Sequence, residues 1–236
     1  MRMYWIAVVL SGLMACSTTE DVALPTTSAA IPTTTTVVPK VPTECQLAPQ
    51  ADLRGCDLVG ADLTDADLTE ADLRGVDLTR AFLNRARLGG AHLDGANLSR
   101  AWLFEADLRG VDMNDANLTD AVLDWAMLWN ATMERANLSG ASLENANLEN
   151  IWLLDANLTD ADLTGANLKD AILYGADLTR AQFIRANLYN IDFENANLSN
   201  ANLTNADLTY ADLRGANISG ASFKGAILDR IVGYNP

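Results

Sequence analysis

Residues 51–75 read ADLRGCDLVGADLTDADLTEADLRG. From Ala51 every fifth residue is small and apolar, and two places after each stands Leu. The phase holds without a slip to Ala226 and its partner Leu228, 36 units of five. The first series departs from Ala only at Cys56, Val76, Val111, Ile151 and Ile191. The second departs from Leu only at Met113, Met133, Phe183, Phe193, Ile218 and Phe223. No charged residue enters either.

A helix cannot use this pattern. At about 100° per residue, a step of five turns the Leu by roughly 140° each time, and no apolar stripe forms. An extended segment explains half of it, because residues two apart share a face. The other two residues must then turn the chain so that the next Ala faces inward again. Their composition fits: 12 of the 15 Gly stand at the last site of a unit, with Asn and Asp at many others, and these residues tolerate the positive φ that turns require.

The residue between Ala and Leu indicates how many corners close a coil. Read every twenty residues from Asp57, it is Asp57, Asp77, Asn97, Asn117, Asn137, Asn157, Asp177, Asn197 and Asn217. All nine are Asp or Asn, against 14 of 27 in the other three columns. A twenty-residue coil stacks these nine into one ladder, along which Asn side chains can bond. Four units per coil and about nine coils are therefore expected, about 40 Å of stacked strands at a spacing of ~4.8 Å.

The run A(D/N)LXX, as in Ala61-Asp62-Leu63-Thr64-Asp65 and Ala216-Asn217-Ile218-Ser219-Gly220, resembles the signature of the pentapeptide-repeat family, and the resemblance covers residues 51–230. It implies an all-β fold, a right-handed quadrilateral β-helix of four units per coil. It also implies that the Leu and Ala series point inward and the other three sites outward.

Upstream of the repeat, one Arg, an apolar run from Tyr4 to Ala15 and then Cys16 describe an export signal. The run is shorter than the roughly 20 residues a bilayer demands. Leu13-Met14-Ala15-Cys16 resembles a bacterial lipobox. That implies removal of the signal peptide, residues 1–15, and a Cys16 acylated on the extracytoplasmic side. Residues 16–43 carry Thr33 to Thr36 in a run with Pro25, Pro32, Pro39 and Pro42; such a segment has little to bury and reads as a disordered stalk. Residues 44–50 are expected to cap the first coil, and residues 231–236 form a short tail. Outside the cytoplasm, Cys45 and Cys56 are expected to form a disulfide that pins the cap; the alternative is a free thiol at Cys56 inside the coil.

The formal net charge is −15, which disfavours binding to nucleic-acid phosphate and suits a basic partner. The lone His92 falls at an outward site, and no phosphate loop, metal-ligand cluster or nucleophile motif is present. An enzyme, a cofactor and a metal are not expected. The informative deviations are outward apolar residues. Under a twenty-residue coil Phe82, Trp102 and Val122 stack in consecutive coils, with Phe104, Trp125, Met127 and Trp129 on the same half of the girth. Trp152 with Ile172, and Leu154 with Tyr174, stack on the opposite half. These are two candidate partner-binding patches; the competing reading is neutral substitution with aromatic stacking between coils. The expected function is a lipid-anchored envelope scaffold that binds an unknown protein. The second reading, carried by the family resemblance, is an acidic DNA mimic acting on gyrase in the cytoplasm. The export signal and the lack of a C-terminal dimerisation segment oppose it.

Overall fold

The computed structural model describes residues 45–234. The signal peptide, Cys16, the stalk over 16–43 and Glu44 lie outside the described residues, as do Asn235 and Pro236. Among the described residues no helix is long and apolar enough to cross a membrane.

The repeat folds as a quadrilateral right-handed β-helix. Every bridge is parallel and joins residues twenty apart, from Asp52↔Asp72 to Asp212↔Val232. Four units thus close one coil. We call the four sides face 1 (residues 52, 72 and so on to 232), face 2 (57 to 217), face 3 (62 to 222) and face 4 (67 to 227).

One unit shows why five residues suffice. In 116–120 the Ala116 amide bonds Met113 O at 3.2 Å and closes the preceding corner. The Asn117 amide bonds Ala96 O one coil back, at 2.9 Å. The amides of Leu118 and Asp120 bond Asn137 O and Ser139 O one coil on, at 2.7 and 3.0 Å. Only the Thr119 amide is left without a backbone partner, and the Asn117 side chain accepts it at 3.2 Å. Every amide of the unit is satisfied, and Asp or Asn after the Ala is the residue able to complete the set. The same side-chain bond recurs at Asp62, Asn97, Asp162, Asn187 and Asp207.

Each corner is a turn whose third residue has positive φ, as a type II turn requires. This holds at every fifth residue from Gln50 to Arg230, including Trp125 (φ 61) and Tyr210 (φ 64). The first such corner lies within the expected cap. There Ala48 O accepts Ala51 N at 3.2 Å, with Pro49 in the second position, where its fixed φ fits.

Inside, the Leu series is 0–1% exposed from Leu53 to Leu213. Beside it the first-site series is buried from Ala71 to Ala211, with Val76, Val111, Ile151 and Ile191 accommodated at the same site. Where the core takes larger rings, Phe183 and Phe193 meet edge to face with centroids 5.9 Å apart. The two ends of the described segment differ. At the first coil Cys45 is buried and joined to Cys56 by a disulfide, and Leu47 packs on the core. At the last coil Ile218, Phe223 and Leu228 are half-buried. Pairing continues to Val232, two residues past the expected end at 230, because Ile231 and Val232 keep the pattern. Gly233 then turns at φ 74, and Tyr234 folds back onto Phe223 with centroids 5.1 Å apart. A Cβ on Gly233 would lie 2.3 Å from Arg214 N, so only glycine fits there.

Candidate interaction surface

Face 2 is the regular side. Its ladder forms in segments: Asn97 Nδ2 donates to Asp77 Oδ1 (3.2 Å), Asn117 to Asn97 (3.1 Å), Asn157 to Asn137 (3.1 Å), Asn197 to Asp177 (3.2 Å) and Asn217 to Asn197 (3.0 Å). Asn137 donates instead to Thr119 Oγ1 at 2.9 Å. Asp177 has no proton to give Asn157, so the chain of bonds breaks there. Face 4 carries a second ladder that the sequence reading missed. Asn167 donates to Asn147 at 3.1 Å and Asn187 to Asn167 at 2.8 Å.

Face 3 departs from this order. Phe82, Trp102 and Val122 stand in register in consecutive coils. Phe104 and Trp125 occupy the corner between faces 3 and 4, Met127 lies on face 4, and Trp129 follows it. Trp125 is 55% exposed, and Phe104, Met127 and Trp129 are also exposed; Phe82, Trp102 and Val122 are half-buried. The structure therefore brings the first patch together. Among the described residues the ring–ring pairs are Phe183 with Phe193, Tyr189 with Tyr210 and Phe223 with Tyr234. None joins two members of this patch, so ring pairing between coils does not account for it. Within the patch the cation–π contact is at Trp129, where the Arg109 guanidinium lies 5.6 Å from the ring centroid.

Replacing Asp or Asn on face 3 also removes the acceptor for the fourth amide of the unit. Behind Trp102 the lost acceptor is replaced from the coil below, where Asn84 Oδ1 accepts the Phe104 amide at 3.1 Å. Behind Ser142, Asp124 accepts both the Glu144 amide (3.0 Å) and the Ser142 hydroxyl (2.5 Å).

The second patch lies on face 1 and the corner that follows it. Trp152 and Ile172 pair in register; Trp152 and Tyr174 are exposed, while Ile172 and Leu154 are half-buried. Beside it runs a shallow groove of about 410 Å³, lined by Asp170, Ile172, Asn190, Asp192, Tyr210 and Val232 among others. Tyr210 meets Tyr189 at 5.3 Å and sits under Arg230 at 5.2 Å. This tyrosine–arginine stack was not read from the sequence, since its members lie about twenty residues apart and each alone looks like an ordinary outward side chain.

The electrostatics are mostly those of corner ion pairs. Arg85, Arg135 and Arg180 each reach the Asp one coil back (Asp65, Asp115 and Asp160) through two bonds of 2.6–2.8 Å, which lowers those carboxyl pKa values. Arg74 holds Asp72 well below the usual carboxylate range. Glu144 is the opposite case. Partial burial and the neighbouring carboxylates of Asp162 and Asp124 push its pKa up.

Two groups on face 1 and its corner cluster potential metal-ligand atoms: His92, Asp94 and Asp112, and Asp192, Glu194 and Asp212. In the second, Arg214 already neutralises Glu194 and Asp212 at 2.9 and 2.5 Å. In the first, His92 Nδ1 lies 3.1 Å from Asp112 Oδ2, and its ring is half exposed. Neither has the burial or the orienting outer groups of a built metal centre.

A family model for pentapeptide repeats matches residues 50–85, 83–120, 116–151, 156–195 and 186–225, with eight copies. None of the curated proteins compared matches the chain. Among solved structures it is similar to HetL, a pentapeptide repeat protein involved in heterocyst differentiation regulation from the cyanobacterium Nostoc sp. strain PCC 7120. The identity is 34%, over 72% of this chain and 88% of that one, with a TM-score of 0.42. It is also similar to Rfr23, a pentapeptide repeat protein of the cyanobacterium Cyanothece 51142, at 31% identity over 51% of this chain and 58% of that one, with a TM-score of 0.26. A trypsin-treated variant of QnrB1, a plasmid-mediated fluoroquinolone resistance protein, shares 19% identity over 69% and 81% of the two chains, with a TM-score of 0.37.

Proposed function

The chain belongs to the pentapeptide-repeat family, and we propose that it is a non-enzymatic protein-binding scaffold, lipid-anchored through Cys16 on the extracytoplasmic side of a bacterial membrane. The observation that carries the binding role is the contrast between faces. A repeat that places polar side chains outward almost everywhere gathers Phe82, Trp102, Phe104, Val122 and Trp125 on one side, four of them aromatic. Exposed apolar side chains grouped in this way mark interaction surfaces more often than isolated ones do. The face 1 group of Trp152, Leu154, Ile172 and Tyr174 is a second surface of the same kind.

The anchor rests on the sequence Leu13-Met14-Ala15-Cys16 after a short apolar run. It is supported by the Cys45–Cys56 pairing, which suits an oxidising compartment. The segment 16–43 then serves as the stalk, with residues 45–50 closing the first coil. A cytoplasmic DNA mimic is the second reading; what favours it is the acidity of residues 51–236, with 28 acidic and 14 basic side chains.

Intact-mass analysis with membrane fractionation of the natively expressed protein tests the anchor. The expected result is a diacylated or triacylated species beginning at Cys16 in the membrane fraction. A soluble species beginning at Met1 would contradict it and put the DNA-mimic reading first.

A further inference from the structure

Resting on the scaffold reading, we infer that face 3 binds an extended basic peptide segment of a partner, apolar side chains seated on Phe82, Trp102, Phe104, Val122 and Trp125 and Lys or Arg side chains on Asp124, Glu144 and Asp162. The apolar group occupies coils two to four, and the acidic group occupies coils four to six on the same face and corner. Asp124 and Glu144 stack one coil apart at the corner, and Asp162 lies on the face beside Glu144.

Charge complementarity sets the occupant. Arginines pair with corner aspartates such as Asp65, Asp115 and Asp160, whereas Asp124, Glu144 and Asp162 appear in no salt bridge among the described residues and, unlike the unpaired Asp94 and Asp155, stand together beside the aromatic group. The groups acting on Glu144 are the two other carboxylates and partial burial, with no cation among them. Like charges held together raise the energy of the ionised form, and a bound Lys or Arg would relieve this. A neutral apolar partner would leave the three carboxylates uncompensated, and an anionic one would be repelled. The adjoining aromatic group explains why a purely ionic ligand is not enough: its apolar area gains only from contact with other apolar groups.

Dimensions agree. Five coils span about 20 Å at the strand spacing, which is the reach of roughly six extended residues. The arrangement also has polarity, so the basic end of the segment lies toward coil six and the apolar end toward coil two.

The probe is a pair of end-blocked hexapeptides, one with three apolar residues followed by three basic ones and one in the reverse order, titrated calorimetrically into the folded protein. Two isosteric triple variants separate local from general charge. Asp124→Asn, Glu144→Gln and Asp162→Asn neutralise the site; Asp57→Asn, Asp94→Asn and Asp155→Asn remove the same charge elsewhere. Saturable 1:1 binding of at least one peptide is expected. The site triple should weaken it about tenfold and the remote triple less than about threefold, as three partly exposed ion pairs would. Equal losses in both triples, or no saturable binding of either peptide, would overturn the inference. Dimerisation of the unliganded protein that is abolished by Trp102→Ala would also overturn it, by assigning the face to a second copy. The two readings fail separately: if peptides do not bind but cross-links to a partner still depend on Trp102, the surface stands and only the basic-peptide occupant falls, whereas loss of both peptide binding and partner cross-links removes the scaffold reading as well.

Discussion

Faces 2 and 3 of this β-helix repeat the same pattern of backbone bonds from the second coil onward and differ chiefly in what projects from it. On face 2 the outward residue is Asp or Asn in all nine coils. Its side chain satisfies the next amide and, in Asn, often reaches the neighbouring coil. On face 3 three consecutive coils give up that residue for Phe82, Trp102 and Val122, and the molecule recovers one lost acceptor with Asn84. Regularity thus records what the fold needs. Departure from it, where the backbone is unchanged, records something the fold does not need.

The largest effect should come from removing what both faces share. Leu123→Ala, in the fully buried series beneath Val122, is expected to cost about 2–5 kcal/mol in chemical denaturation, weakening the ladder and the aromatic side alike. A selective loss on one face would contradict a common core.

Next comes the regular face alone. Asn117 accepts from the Thr119 amide and hydroxyl and donates to Asn97. Asn117→Ala should destabilise the fold by about 1–3 kcal/mol and leave partner binding at face 3 intact.

The irregular face should behave in the opposite way. Trp102→Asn restores the residue type that the repeat prefers, so stability should stay within about 0.5 kcal/mol of the parent, while partner binding at face 3 is lost. A drop in stability as large as that of Asn117→Ala would show that Trp102 serves the fold.

The smallest effect is electrostatic and depends on pH. The carboxyls of Asp65, Asp115 and Asp160 are lowered by their arginines. The stability they contribute is present above about pH 4 and is lost as the pH falls through their lowered folded values. Glu144 is raised, so its contribution is present below its ordinary value of about 4.3 and is lost as the pH rises through the raised one. Glu144→Gln should therefore add about 0.3 kcal/mol at pH 7 and nothing at pH 3. Thermal melts of parent and variant across that range check the sign.

The fold was legible because the signals that decide it are periodic. Inward Ala and Leu set the five-residue step, and the column from Asp57 to Asn217 set the coil. The apolar stack on face 3 followed once the coil was known. The reason for the Asp or Asn was not legible, because it depends on one amide, such as that of Thr119, that the backbone leaves over. The face 4 ladder of Asn147, Asn167 and Asn187 was hidden among columns of mixed composition. The acidic group of Asp124, Glu144 and Asp162 was hidden more deeply still. Each occupies a site where Asp and Glu are common, and only the coil geometry brings the three carboxylates beside one another and beside the aromatic group.

Site-specific photocrosslinking in the native host, with the crosslinking residue placed at Phe82 or Trp102 on face 3 and at Asn117 or Asn157 on face 2, tests most directly whether the irregular face is the binding face. Discrete protein cross-links from the face 3 positions and none from face 2 are predicted. Equal cross-linking from both faces, or from face 2 alone, would contradict it.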